Sequence, residues 1–197
     1  MLLFPAQEVG MSGWMPTYSI KAGIAGVETS GLYSTLFWLS NAIFRVVWAC
    51  WIKGPVNCKL RFILSTISGV SVVLLMLQWA GLYQFVCVLG SVYFGAMLSC
   101  IYAFCLAFPA DNGFQNTTSN SANFVMAYCI GEGIMPAPLG YIMGLLGYRS
   151  LMVVVLVTCL ASWWALEKAV LSMRQDKLNN EKDCALLGNC SPSMRLD

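Results

Sequence analysis

Histidine is missing from all 197 residues, which excludes imidazole general-base chemistry, imidazole metal ligation and any Ser–His or Cys–His nucleophile. Charge is scarce as well: Asp, Glu, Lys and Arg make up 10% of the chain, against about 25% in an ordinary soluble domain. No CxxC pair, phosphate-binding loop or dinucleotide fingerprint occurs. No nucleophile and base, metal cluster or paired catalytic carboxylates assemble from these residues, so neither enzymatic activity nor a cofactor is expected. A nucleic-acid partner is not expected either. The amino terminus also lacks the basic n-region of a secretory signal, and Glu8 interrupts its apolar stretch. It reads as part of a membrane span.

Hydrocarbon is what the chain has in quantity. Hydrophobic residues account for 58% of it and the mean hydropathy is +0.70. Phe62 to Ala110 is a run of 49 residues with no Asp, Glu, Lys or Arg, where one helical crossing needs about 20. Two spans joined by a tight turn fit there. Backbone amides and carbonyls find no water in a bilayer core, so runs of this kind must be helices. Charges and Gly/Pro clusters divide the chain into six spans, near Leu2–Ile20, Gly31–Trp51, Phe62–Gln78, Leu82–Phe108, Ala122–Leu146 and Leu151–Leu171. The expected fold is an all-α membrane protein, a bundle of about six transmembrane helices over residues 1–171. Residues 172–197 mix both charge signs with Asn, Ser and Pro and are expected to form a disordered cytoplasmic tail.

Nine cysteines are present. Cys50, Cys87, Cys100, Cys105, Cys129 and Cys159 fall in or beside apolar runs, as small hydrophobes do, and Cys184 and Cys190 read as free thiols in the tail.

Orientation follows from the basic residues. Lys53, Lys59 and Arg61 follow the second span, and Lys168, Arg174, Lys177 and Lys182 follow the last, which places these segments and both termini in the cytoplasm. Only Lys21 and Arg149 fall on the other side. The Asn116-Thr117-Thr118 sequon then faces the cytoplasm, out of reach of glycosyltransferases. Trp48, Trp51, Trp79, Tyr83, Tyr148, Trp163 and Trp164 lie near span ends, as interfacial belts or as plain core packing.

Ionisable groups inside spans cost roughly 2.5–3.5 kcal/mol each near the centre, which marks them for function. Glu132 sits in Gly131-Glu132-Gly133, ahead of Pro136 and Pro138, whose missing amide donors free carbonyls beside the carboxylate. It is expected either to line a cavity or to pair with Arg45 and fasten two helices. Asn41 and Arg45 are four residues apart and share one helix face; Arg45 can also snorkel to the cytoplasmic surface. Glu8 precedes Gly10, Ser12, Gly13 and Trp14, a carboxylate beside an aromatic platform on which a sugar ring can stack, or else a glycine-rich packing face. Asn123, Gln7, Thr17 and Tyr18 add hydrogen-bonding groups suited to a neutral polyhydroxylated ligand.

Four segments taken together carry a family likeness: Glu8 to Tyr18 (EVGMSGWMPTY), Asn41 to Arg45 with the basic loop, Phe108-Pro109, and Gly131 to Tyr141 (GEGIMPAPLGY) followed by Gly147-Tyr148-Arg149. In this order the chain resembles the carboxyl-terminal six-helix half of a major facilitator superfamily transporter, in the sodium-dependent glucose transporter and fucose-permease-like branch. The resemblance implies sugar transport across a membrane with a coupling ion, and a solute site drawn from Glu8, Trp14, Asn41, Arg45, Asn123 and Glu132. Family members close their cavity between two halves. The resemblance therefore implies a fragment or half-length form that meets an amino-terminal half or a second copy of itself, or else a non-transporting truncated protein that regulates or dimerises with full-length relatives.

Overall fold

A computed structural model describes residues 3–51, 55–112 and 117–187. Every described element is an α-helix: α1 (Leu3–Lys21), α2 (Val27–Trp51), α3 (Val56–Trp79), α4 (Tyr83–Leu98), α5 (Ile101–Asp111), α6 (Thr118–Ile134), α7 (Pro136–Leu146) and α8 (Ser150–Leu187). Lys53 of the basic loop, Asn116 of the sequon and Cys190 lie outside the described residues.

Four helical stretches have the length and apolarity of a membrane crossing: Val56–Trp79, Tyr83–Asp111, Ser121–Leu146 and Ser150–Met173, with 24, 29, 26 and 24 residues. At about 1.5 Å per residue, even the shortest exceeds a hydrocarbon core of about 30 Å. Their outer faces match that solvent. Trp79 is 87% exposed, Leu146 75% and Met76 69%, an apolar surface far larger than water-soluble monomers carry. The protein is an all-α, multi-pass membrane protein. The third to sixth expected spans coincide with these four stretches. α1 and α2 are helical where the first two spans were expected, but they do not reach the same apolarity. α1 holds Gln7, Glu8 and Lys21, and α2 holds Glu28, Asn41 and Arg45.

The long uncharged run folds as the expected helical pair. α3 ends in a left-handed turn at Gly81 (φ +80°). There the Leu82 amide donates to the Leu77 carbonyl at 2.9 Å and the Gly81 amide to Gln78 at 3.1 Å, which satisfies carbonyls the ending helix leaves open.

Two of the four stretches are broken inside the span. α4 gives way to α5 at Ser99 and Cys100, where Cys100 leaves the helical region (φ −113°, ψ 0°). α6 gives way to α7 at Met135, directly before Pro136; Pro136 and Pro138 have no amide to donate to Glu132 and Ile134. The second break stands where the proline pair predicts it, whereas the first has no Gly or Pro to announce it.

The bundle interior is unusually polar along α1. Gln7, Glu8, Ser12 and Ser19 are all buried and are used between helices or against their own backbone. Gln7 Nε2 donates to Ser162 Oγ of α8 at 3.1 Å, and the Tyr18 hydroxyl donates to Gln78 Oε1 of α3 at 2.9 Å. Gln78 Nε2 passes the chain on to the Arg149 carbonyl at 3.1 Å. Tyr148 stacks edge-on to Tyr18, with ring centroids 5.6 Å apart. Hydrogen bonding to Tyr148, reinforced by Tyr83, raises the Arg149 pKa above its already high ordinary value. α2 packs closely on α4 because Gly95 has no side chain; a methyl group there would meet the Phe37 carbonyl oxygen at 2.3 Å.

The described residues form two compact units, one up to Trp163 and one from Trp164 onward. The second begins inside α8, which runs on to Leu187. Residues 172–187, expected above as a disordered tail, are therefore helical. From Ser150 to Leu187 the sequence contains neither Gly nor Pro, so nothing local stops the helix once the span has nucleated it. Within the second unit, the Lys168 ammonium lies 5.8 Å from the centroid of the Trp164 ring.

Candidate functional site

A cleft of about 610 Å³ opens between α1, α2, α5 and α6. Its charged lining is Glu8, Arg45 and Glu132, and Trp38, Trp48, Tyr102, Phe104 and Tyr128 supply most of its walls. Three of the six residues singled out in the sequence thus meet in one place although they are distant along the chain.

Glu8 is the best-fixed member, only 7% exposed. Its Oε1 accepts from Asn41 Nδ2 at 3.3 Å, and its Oε2 accepts a short hydrogen bond from the Tyr128 hydroxyl. One carboxylate thereby joins α1 to both α2 and α6, and a buried charge of this kind is tolerated only with such partners. Asn41 is buried one helical turn from Arg45 and serves this bond, rather than lining the cleft wall.

Arg45 reaches the cleft from α2. Its Nε donates to the Ser99 carbonyl at 3.1 Å, and one turn on, Trp48 Nε1 donates to the Ala96 carbonyl at 3.0 Å. The α4–α5 break thus exposes carbonyls inside the span, and α2 supplies the side-chain donors that satisfy them. Among the described residues Arg45 and Glu132 form no ion pair, and Glu132 makes no hydrogen bond. Glu132 is instead within electrostatic reach of Glu8 and Tyr128, half-buried and facing the cleft.

Trp14 lies elsewhere. Its indole fills the space above Gly140 of α7, where an added methyl would meet Trp14 Cζ2 at 2.4 Å, so it packs α1 against α7 and does not line the cleft. Asn123 is exposed near the start of α6 and is also outside the cleft lining. Gly144, four residues further along α7, faces open space.

Several cleft residues carried no signal in the sequence. Tyr128 was the most accessible of them: it precedes Glu132 by four residues, one turn on the same helix face. Ser99 and Cys100 belong to a helix break that composition does not mark. Cys129 follows Tyr128 and opens onto the cleft with an exposed thiol. Tyr102 stands edge-on to Tyr128, centroids 4.9 Å apart, and Trp48 stands edge-on to Phe104 at 6.0 Å, both within the range in which aromatic quadrupoles attract.

No family model matches the chain, and neither a curated protein nor a solved structure was found to be similar to it.

Proposed function

We propose that the protein is a membrane solute carrier whose cleft between α1, α2, α5 and α6 receives a small polar molecule. The observation that carries this reading is the Asn41–Glu8–Tyr128 hydrogen-bonded chain, which holds a carboxylate inside a helical bundle beside a cleft that also contains Arg45 and Glu132. Ionisable groups at this depth are costly and cluster along solute pathways. Two interrupted helices flank the site, and irregular backbone at membrane depth persists where protein or a water-filled cavity satisfies it.

In this reading α1 and α2 cross the bilayer as well, giving six spans, because their polar groups turn inward onto one another and onto α4 and α6. The two helices form a pair, so adding them leaves the sidedness of the other four unchanged. The basic residues around Lys59 and Arg61 and those after Lys168 share the cytoplasmic face. The likeness to the carboxyl-terminal half of a major facilitator transporter belongs to this proposal, together with a coupling ion and a second half or second copy that completes the cavity.

Flux through liposomes carrying the purified chain tests it. Efflux of trapped radiolabelled solutes above the rate of empty liposomes, reduced by Glu132→Gln, supports transport. Absence of flux from chain shown to be folded and inserted overturns transport by this chain alone and leaves the regulatory or dimerising reading.

A further inference from the structure

Charge and ring chemistry in the cleft point to a more definite occupant than a neutral polyol. This step rests on the reading of the cleft as a solute site. Glu8 and Glu132 are its two acidic side chains and Arg45 its one basic side chain, so acidic groups outnumber basic ones by one in the lining. The three groups are not equivalent. Both Glu8 oxygens already accept hydrogen bonds, from Asn41 and Tyr128, and Arg45 acts on Glu8 through its charge. Arg45 itself donates to the Ser99 carbonyl and forms no ion pair with Glu8 among the described residues. Glu132 has no hydrogen-bond partner among the described residues and lines the cleft.

Around it the walls are aromatic. Phe104 already holds the Lys59 ammonium 5.3 Å from its centroid. Trp38, Trp48, Tyr102 and Tyr128 remain, and the Trp48 N–H is spent on Ala96, so its contribution to a ligand is its ring. π-Faces beside a carboxylate that has no hydrogen-bond partner attract a desolvated cation.

From this geometry we infer that the cleft binds an organic cation, an ammonium-bearing small molecule seated among the aromatic rings with Glu132 as its counter-charge. Glu132 then serves recognition, while Glu8 serves positioning by holding Tyr128 and α6 in place.

The experiment uses the full chain in lipid nanodiscs, with radiolabelled benzyltrimethylammonium as probe and glucose and benzenesulfonate as neutral and anionic competitors. Saturable cation binding is expected. Glu132→Gln should weaken it about tenfold or more, and Glu132→Asp should restore most of the loss. The unfolding midpoint should barely move, since no hydrogen bond of the fold is lost. Cation binding indifferent to Glu132→Gln, or displaced more readily by glucose than by a second ammonium compound, would overturn the inference. Alkylation of Cys129 by a water-soluble maleimide, mapped by mass spectrometry, separates the two levels. An unreactive Cys129 means a cleft closed to water, and the carrier reading itself fails. A reactive Cys129 that the ammonium probe does not protect means that only the cation assignment fails.

Discussion

Asn41 Nδ2 and Glu8 Oε1 lie 3.3 Å apart, a hydrogen bond between two buried side chains that the chain separates by 33 residues. Neither is placed by local preference, because helix interiors favour neither Asn nor a buried Glu. With Tyr128 on the opposite carboxylate oxygen, the bond links three helices through one group.

Removing that group should cost more than neutralising it. Glu8→Leu strands the Tyr128 hydroxyl and the Asn41 amide without a partner, each worth about 1–3 kcal/mol when buried. Glu8→Gln keeps an acceptor for Asn41 and a polar neighbour for Tyr128. Scanning fluorimetry in detergent should show a clear fall in unfolding midpoint for Glu8→Leu and a small one for Glu8→Gln. Equal midpoints would mean that the network does not hold α1, α2 and α6 together.

Close packing of α2 on α4 makes a second prediction. In Gly95→Ala the new methyl would stand 2.3 Å from the Phe37 carbonyl oxygen and 3.2 Å from Ser40 Cβ. The first neighbour is backbone and cannot swing away, so the helices must separate at a cost of about 1–3 kcal/mol. Gly69 on α3 has open space at the same position, and Gly69→Ala should be neutral or gain about 0.5–1 kcal/mol from helix propensity. Opposite signs for the two substitutions in one unfolding assay are the expected result, and a stabilised Gly95→Ala would refute the contact.

Tyr18 and Gln78 are both buried and bonded at 2.9 Å, which suits a double-mutant cycle. Tyr18→Phe, Gln78→Leu and the double substitution should reveal a coupling of about 0.5–1.5 kcal/mol. Strict additivity would show that the bond to α3 contributes nothing beyond packing.

Much of the architecture was legible because a bilayer reads sequence coarsely. Length and apolarity were enough to set four helices, and the uncharged run from Phe62 to Ala110 the turn between two of them, since hydrocarbon leaves the backbone no other option. The break before Pro136 was legible for the same kind of reason, a missing N–H. The break at Ser99–Cys100 was not, because it depends on donors from Arg45 and Trp48 on another helix. The site divides in the same way. Glu8, Arg45 and Glu132 stood out by what they cost in lipid, but Trp14 looked like a ligand platform and proves to fill the space above Gly140. An aromatic side chain has the same composition signal whether it faces a cavity or a neighbouring helix. The helical 172–187 segment was read as a tail from its polarity, although polarity does not prevent a helix when no Gly or Pro interrupts it.

The sidedness of α3 offers the sharpest test of the membrane assignment. Cys58 sits with an exposed thiol in the first turn of α3, beside Lys59 and Arg61, while exposed Ala80 lies just past its far end. If the basic end faces the cytoplasm, Cys58 in sealed microsomes, whose outer surface is the cytoplasmic one, should react with a membrane-impermeant maleimide. A thiol introduced by Ala80→Cys should react only after detergent opens the vesicles. Peptide mapping by mass spectrometry distinguishes both from the other cysteines. Reversed accessibilities would invert the orientation and leave α3 spanning. Equal labelling of both positions in sealed vesicles would mean that α3 does not cross, and since it has the length and apolarity of a crossing, that outcome would undermine the assignment of the other three stretches on the same grounds.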